Sequence, residues 1–243
     1  MHRTSYIAQL LANKKHITVL TGAGISAESG LQTFRDSDGL WMGYNVVDVS
    51  SPQGWKKNPQ LVLDFYNARR RDVANAEPNA AHLGLADLEK DFEVTIITQN
   101  IDNLHERAGS SRIIHLHGEI FTMRSEKNEG LVYPIRDDIR MGDLAGDGAQ
   151  LRPHIVWFGE AVPMMEKAIS VMHNCDHFVV IGTSLQVYPA ASLLHYAPAD
   201  LPKYIIDKKI PVTENYPHLQ RIEMPATAGV KHLKKLLNSG END

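Results

Sequence analysis

Cysteine is almost absent from this sequence. The chain of 243 residues has one, Cys175, which excludes an intramolecular disulfide and a zinc site built from several cysteines. Such sparing use of cysteine is typical of a protein in a reducing compartment. We therefore expect no bound metal.

An excess of positive charge and a long hydrophobic run are also missing. Lys and Arg number 25 against 29 Asp and Glu, a net charge of −4, which disfavours nucleic acid and anionic membranes as partners. No run approaches the roughly 20 apolar residues of a membrane span. Residues 1–15 lack the features of a secretory signal. We expect a cytoplasmic protein with no nucleic-acid or membrane partner.

Short β-branched runs alternate with helical patterns along the chain, which predicts an α/β fold with a parallel sheet. A polar segment with several glycines, 121–152, interrupts this rhythm and predicts a small inserted lobe. The predicted strands are 17–20, 94–98, 113–116, 178–181 and 204–206, and the predicted helices are 59–73, 79–90, 164–173, 189–196 and 228–237.

A glycine motif follows the first predicted strand. Residues 21–27, Thr-Gly-Ala-Gly-Ile-Ser-Ala, fit the dinucleotide-binding pattern Gly-x-Gly-x-x-Ala. Gly22 and Gly24 would let main-chain N–H groups approach a pyrophosphate at a helix N-terminus. The alternative is a tight turn without a ligand. The acidic residue of dehydrogenases, about 20 residues further on, is not evident, which disfavours a plain dehydrogenase.

Polar side chains follow the second predicted strand. Residues 98–103, Thr-Gln-Asn-Ile-Asp-Asn, lie where open α/β sheets bind ligands, and their amide and acid groups suit sugar hydroxyls. The alternative role for Asp102 or Asn103 is to cap a helix over 104–108, and the two roles are compatible.

Two histidines lie near the end of the third predicted strand. His115 and His117 alternate there, so they are expected to share one face. A metal pair would lack a third ligand, and a structural pair is the commoner alternative. His117 directly precedes Gly118 at the strand end, a suitable place for a general base.

Seven blocks of sequence follow one another along the chain: 22–30, 33–35, 38–41, 99–102, 115–118, 156–160 and 182–184. Together they resemble the sirtuins, the NAD-dependent protein-lysine deacylases. The resemblance implies a large Rossmann-like domain, about 1–28, 76–120 and 154–243, joined to a smaller one, about 29–75 and 121–153. NAD and an acyl-lysine protein or peptide would meet in the cleft between them.

The resemblance also implies roles for individual residues. His117 would be the general base, with Asn100 and Asp102 as further catalytic residues. Residues 22–26 and Arg35 would hold the phosphates. The implied cofactor-binding residues are Gly22, Ala23, Gly24, Ser26, Ala27, Phe34, Arg35, Trp41, Gln99, Asn100, Ile101, Asp102, Gly182, Thr183, Ser184, Asp207 and Ala226.

In the family's reaction the acyl oxygen attacks the nicotinamide ribose and nicotinamide leaves. The base then deprotonates a ribose hydroxyl that attacks the acyl group, giving free lysine and O-acyl-ADP-ribose. A strand over 156–160 would pair with the peptide backbone. The implied peptide-binding residues are Val156, Phe158, Gly159 and Glu160.

The sequence departs from the family in two places. Ser125 stands where the first zinc cysteine of most sirtuins is expected, and 121–153 contains no cysteine. Asp207 stands where an Asn commonly contacts the adenosine ribose. Its carboxylate would repel a 2′-phosphate, which favours NAD over NADP.

Tyr66 and Arg69 are three residues apart and share one face of a predicted helix. The alternative is a solvated basic helix face. Sirtuins that remove succinyl or malonyl groups have a similar Tyr-x-x-Arg pair in the acyl pocket. The resemblance thus implies an acetyl, succinyl or malonyl deacylase. The rival functions are mono-ADP-ribosyl transfer and a non-catalytic NAD-sensing module.

Overall fold

The computed structural model describes residues 14–33, 40–213 and 215–239. The strands are β1 (His16–Thr21), β2 (Leu40–Trp41), β3 (Tyr44–Asn45), β4 (Glu93–Thr98), β5 (Ile113–His115), β6 (Gly118–Ser125), β7 (Val132–Pro134), β8 (Leu151–Ile155), β9 (His177–Ile181), β10 (Lys203–Asp207) and β11 (Leu219–Glu223). The α-helices are α1 (Val46–Val49), α2 (Pro52–Lys57), α3 (Pro59–Asn75), α4 (Ala80–Leu88), α5 (Leu104–Ala108), α6 (Met165–Met172), α7 (Leu193–Tyr196) and α8 (Ala226–Ser239). Single 3-10 turns lie at Ala23–Ile25, Ala27–Ser29 and Ala190–Ser192.

The largest sheet is parallel and has the strand order β11-β10-β9-β1-β4-β5. In its centre Thr21 lies opposite Thr98 on one side and Ile181 on the other. The residues that directly follow these three are therefore neighbours at the carboxyl edge of the sheet. Open α/β sheets bind their ligands at this edge.

The sheet is covered on both faces, as its β-branched strands predict. Val19 packs into a buried cluster with Leu85 of α4 and Leu233 of α8. The next residue, Leu20, packs on the opposite face with Leu193 of α7. This alternation confirms the expected layers. Within the described ranges, no helix has the length and apolar content needed to cross a membrane.

A second, antiparallel sheet has the order β7-β6-β8. Helix α3 packs beside it, where Tyr66 shares a buried cluster with Ile120 and Trp157. The guanidinium of Arg70 is buried and donates to the Ile120 carbonyl at 2.9 Å. The predicted fold class, an α/β parallel sheet with a smaller second unit, is confirmed, while the domain boundaries stay a prediction.

Several short elements differ from the sequence prediction. β11 was not predicted because it is an edge strand in which only Ile222 is buried, so it has no apolar run. α1 and α2 are one or two turns long and are capped by the side chains of Asn45 and Ser51, too short for a periodic signal. β5 ends at His115, so His117 lies beyond the strand.

A buried serine organises the turn between β6 and β7. The Ser125 hydroxyl donates to Asp147 Oδ2 at 2.7 Å and accepts the backbone N–H groups of Lys127 and Asn128, both at 3.1 Å. These bonds tie β6 to the segment before β8. In the part of the chain that the structure describes, no group of three or more His, Cys, Asp or Glu is placed to hold a metal ion.

We predict that this turn is stabilised by Ser125 rather than by zinc. Elemental analysis should find far less than one equivalent of zinc, and a chelator should leave the melting temperature unchanged. Ser125→Ala removes three part-buried hydrogen bonds, which costs about 1 to 3 kcal/mol and lowers the melting temperature by roughly 2 to 12 °C. Ser170→Ala, at an exposed hydroxyl of α6, is the matched control. Stoichiometric zinc after gel filtration would contradict the prediction.

Candidate active site

A cavity of about 520 Å³ opens at the carboxyl edge of the parallel sheet, between it and the segment that follows β8. Most residues predicted from the sequence line it: Gly22, Ala23, Gly24, Ser26, Ala27, Trp41, Arg69, Gln99, Asn100, Ile101, Asp102, His117, Val156, Phe158, Gly159, Glu160, Gly182, Thr183, Ser184, Asp207 and Ala226. Phe34 and Arg35 lie outside the described residues. Tyr66 is described but does not line the cavity.

The glycine motif is held against the turn after β9. Gly22 N–H donates to the Ile181 carbonyl at 3.0 Å, and Gly24 N–H donates to the Gly182 carbonyl at 2.8 Å. A Cβ on Gly24 would lie 2.7 Å from Gly182 Cα, too close for two backbones to relax. The glycines are thus required by this loop contact, and their own N–H groups are not available to a pyrophosphate, contrary to the simplest form of the expectation.

Other groups of the motif remain suited to phosphate. Ala23 and Ala27 each begin a 3-10 turn, where the first N–H has no partner within the helix. Both residues line the cavity. Helix N-termini carry partial positive charge, so these positions fit the phosphates of a dinucleotide.

A buried polar network joins the motif to the end of β4. Asn100 Nδ2 donates to the Gly22 carbonyl at 3.2 Å and to Ser26 Oγ at 3.1 Å. Ser26 Oγ donates in turn to Asp102 Oδ2 at 3.1 Å. Asp102 Oδ1 accepts the N–H of Leu104, the first residue of α5, at 3.2 Å, and Asp102 also lines the cavity, while the N-cap position belongs to Asn103. Burial raises the pKa of Asp102.

His117 is held as a neutral base. Its Nδ1 lies 3.0 Å from the Gln99 carbonyl oxygen, which can only accept, so we assign the proton to Nδ1. The lone pair then lies on Nε2. Burial lowers the pKa of His117 below its ordinary value of 6.5, which keeps the ring neutral near pH 7.

His115 has a different environment, so the expectation that the two histidines share a strand face is wrong. β5 ends at His115, and only His117 lines the cavity. His115 Nε2 lies 2.6 Å from Glu106 Oε1, and Nδ1 lies 3.2 Å from the Asn100 carbonyl. Burial acts to lower the pKa of His115, but the hydrogen bond and charge of Glu106 raise it overall.

The two members of the Tyr-x-x-Arg pair both lie on helix α3 but have different environments. The Tyr66 hydroxyl is fully buried, donates to Ser50 Oγ at 3.2 Å and accepts from Trp157 Nε1 at 3.1 Å. Burial raises its pKa to about 12. Arg69 lines the cavity, and its Nη2 donates to the Gln32 carbonyl at 3.3 Å.

The Arg69 guanidinium has spare binding capacity. It lies 5.7 Å from the ring centroid of Trp41, and its Nε has no hydrogen-bond partner among the described residues. No carboxylate of those residues lies within ion-pair distance of it; burial lowers its pKa overall, although the charges of Asp102 and Asp72 act to raise it. A buried cation of this kind is suited to an anionic ligand group.

The segment 156–160 is not a strand, which corrects the sequence expectation. β8 ends at Ile155, and Gly159 adopts a left-handed φ of +90° that turns the chain. The Trp157 N–H donates to Glu160 Oε2 at 2.8 Å rather than to a neighbouring strand. Val156, Phe158, Gly159 and Glu160 nevertheless line the cavity.

Sequence reasoning missed part of the cavity wall. Lys208 and Lys209 follow Asp207, whose Oδ1 accepts the Lys209 N–H at 3.1 Å. Their position after β10, at the same sheet edge as the glycine motif, is the signal that could have identified them. The other lining residues not predicted are Gln32, Thr33, Ser50, Ile155, Trp157, Val162, Val187, Tyr188 and Ile206.

Comparison with known proteins agrees with the geometry. A relative from Helicobacter pylori (strain ATCC 700392 / 26695), an NAD-dependent protein deacylase, is 60% identical over 195 residues, covering 80% of this chain and 85% of the relative. A solved Sir2 homolog in complex with NAD has a TM-score of 0.80 and 34% identity, covering 97% of this chain and 96% of that chain. A Sir2 bound to acetylated peptide has a TM-score of 0.75 and 28% identity, covering 99% and 100%. The sequence model of the Sir2 family matches residues 22–189, well over half of the chain, and the protein therefore belongs to the Sir2 family.

Proposed function

We propose that this protein is an NAD-dependent protein-lysine deacylase that releases nicotinamide and O-acyl-ADP-ribose. The observation that carries the proposal is the position of His117, a neutral base in the same cavity as the glycine motif and the 156–160 segment. One cavity thus offers a dinucleotide site, a base and a wall for a peptide. The acetylated-peptide complex of the Sir2 relative supports a protein or peptide substrate.

The residues of the cavity fit NAD. The 3-10 turns at Ala23 and Ala27 suit its phosphates, and the polar groups of Gln99 and Asn100 suit its ribose hydroxyls. Asp207 would accept a ribose hydroxyl and repel a 2′-phosphate, which favours NAD over NADP. When bound, NAD supplies a ribose carbon that loses nicotinamide and takes the acyl oxygen.

The chain's own residues prepare the base for proton transfer. The Gln99 carbonyl fixes the His117 ring and its tautomer, so Nε2 is ready to accept a proton from a hydroxyl without prior ionisation. His115, held by Glu106, bonds the adjacent Asn100 carbonyl. The two imidazoles therefore fix consecutive peptide groups of the loop after β4.

The acyl group is proposed to reach Arg69. A succinyl or malonyl carboxylate loses water in the cavity, a cost that a paired guanidinium offsets. Arg69 lines the cavity and, among the described residues, forms one hydrogen bond, to the Gln32 carbonyl, whereas the Tyr66 hydroxyl is engaged by Ser50 and Trp157. We therefore assign the carboxylate contact to Arg69, with Tyr66 supporting the wall behind it.

A cytoplasmic location completes the proposal. Cys175, the one cysteine of the sequence, is buried and unpaired, as suits a reducing compartment.

Replacement of the base tests the reaction. His117→Ala should lower the deacylation rate of an acylated peptide by roughly 100- to 10,000-fold, because a general base is lost. Mass spectrometry of the peptide after incubation with NAD measures the effect, and circular dichroism checks the fold. His115→Ala should cost less, since His115 only supports the loop. Near-normal deacylation by His117→Ala would refute the assignment.

The pH dependence follows from the neutral state of the base. Because burial lowers the pKa of His117, kcat/KM should rise with pH through a midpoint below 6.5 and then level off. Glu106→Gln should shift a titration of His115, whose pKa is raised, without moving this acid limb. An acid limb centred above pH 6.5 would mean that another group is the base.

Acyl preference tests Arg69. Arg69→Met should lower kcat/KM for a succinyl-lysine peptide by roughly ten- to a hundredfold while sparing the acetyl peptide, because one charged hydrogen-bonded contact is lost. The wild-type activity on succinyl-lysine should at least match that on acetyl-lysine. Arg71→Met, at an exposed residue of the same helix, is the matched control. Equal losses on both peptides would assign Arg69 to the fold or to NAD binding.

A further inference from the structure

An ion pair between buried Arg152 and partly buried Glu160 joins β8 to the cavity wall. Arg152 of β8 is 4% exposed and does not line the cavity. Its Nη1 donates to Glu160 Oε1 at 2.7 Å and its Nη2 to Glu160 Oε2 at 3.2 Å. The contact is thus bidentate, a geometry that fixes the direction of the carboxylate as well as its position.

The same guanidinium holds the start of the cavity-lining segment. Nη2 of Arg152 also donates to the Ile155 carbonyl at 2.9 Å. Its Cζ lies 3.2 Å from the ring centroid of Trp157, a close cation–π contact. Arg152 therefore contacts the segment through a backbone group, a ring and a carboxylate.

Glu160 passes this restraint to the backbone. Its Oε2 accepts the Trp157 N–H at 2.8 Å, which closes the turn over 157–160. Burial acts to raise the pKa of Glu160, but the bonds from Arg152 lower it overall, so the carboxylate is charged near pH 7. Arg124 adds a weaker contact, 3.7 Å from Glu160, and is itself paired with Glu129 at 3.1 Å.

The rest of the segment is fixed from other directions. The Trp157 ring donates to the Tyr66 hydroxyl at 3.1 Å, and Phe158 N–H donates to the Ser50 carbonyl at 3.0 Å. Val156 N–H donates to the His117 carbonyl at 2.9 Å, which links the segment to the residue that carries the base. The turn that contains Gly159 is closed by Glu160, so the Arg152–Glu160 pair holds it.

We propose that Arg152 is a positioning residue for the acylated substrate. Through Glu160 it holds the turn that presents Phe158 and Gly159 to the cavity, and it sets substrate affinity without touching the substrate. A buried ion pair is a poor source of stability compared with an apolar pair, so geometric control is the role that suits it. The inference rests on the proposed deacylase function of the cavity.

The experiment compares Arg152→Lys, Arg152→Met, Glu160→Gln and the double variant Arg152→Met/Glu160→Gln. Arg152→Met and Glu160→Gln should each raise KM for the acyl peptide by roughly ten- to a hundredfold, with kcat and KM for NAD within about twofold of wild type. Arg152→Lys keeps the positive charge but cannot form the bidentate contact, so its KM for the acyl peptide should rise less than that of Arg152→Met. The double variant should lose little more than either single one, because the two residues act as a unit.

The matched control is Arg71→Met, which breaks the exposed Arg71–Asp138 ion pair. It should change neither the KM for the acyl peptide nor the KM for NAD. Calorimetric titration with the acyl peptide gives an affinity that does not depend on turnover. If Arg152→Met folds poorly, this affinity still tests the inference, because Arg152→Lys on its own should weaken peptide binding.

Two failures are distinguishable. A wild-type protein that binds the peptide but never deacylates it would refute the proposed function and leave the positioning role to be judged by affinity. An active wild type with unchanged peptide KM and affinity in Arg152→Lys and Glu160→Gln would overturn the inference. Equal losses in NAD binding and kcat would also overturn it, because they indicate a general structural role.

Discussion

The close contact between Gly24 and Gly182 is the constraint on which the site depends. A Cβ at either position would fall within 2.7 Å of the other loop's backbone. The turns after β1 and β9 can therefore approach this closely only because both positions are glycine. This contact brings the first 3-10 turns beside the polar loop after β4, where Asn100 donates to the Gly22 carbonyl. His117, the turns proposed to bind the phosphates and the amides proposed to bind the ribose therefore share one edge of the sheet.

The segment 156–160 completes the cavity by a different means. The parallel sheet offers fixed backbone geometry, whereas this segment is held by side chains of α3 and β8 and by the backbone carbonyl groups of Ser50 and His117. The Tyr66 hydroxyl, the Trp157 ring N–H and the Arg152 guanidinium are all hydrogen-bonded there, which favours a single conformation of the wall. In the proposed function, the sheet side holds the dinucleotide, and the other side carries the groups that distinguish substrates.

Much of this arrangement could be predicted from sequence. Strands with continuous β-branched runs, such as β1 with its buried Val19, have a strong sequence signal because they are buried on both faces. The loops that follow these strands define the site. Short or exposed elements such as β11 have no such pattern. The engagement of the Tyr66 hydroxyl by Trp157, 3.1 Å away, joins residues distant in the chain, and helical spacing cannot predict it. The turn at Gly159 likewise depends on the Glu160 side chain, so the motif alone suggested a strand.

The most direct test of the proposed deacylase function is the stoichiometry of products from one acyl-lysine peptide incubated with NAD, measured by mass spectrometry. We predict one nicotinamide and one O-acyl-ADP-ribose for each lysine freed. Nicotinamide release with the acyl group left on the peptide would contradict it in favour of ADP-ribosyl transfer, and NAD binding without any product would indicate a sensing module.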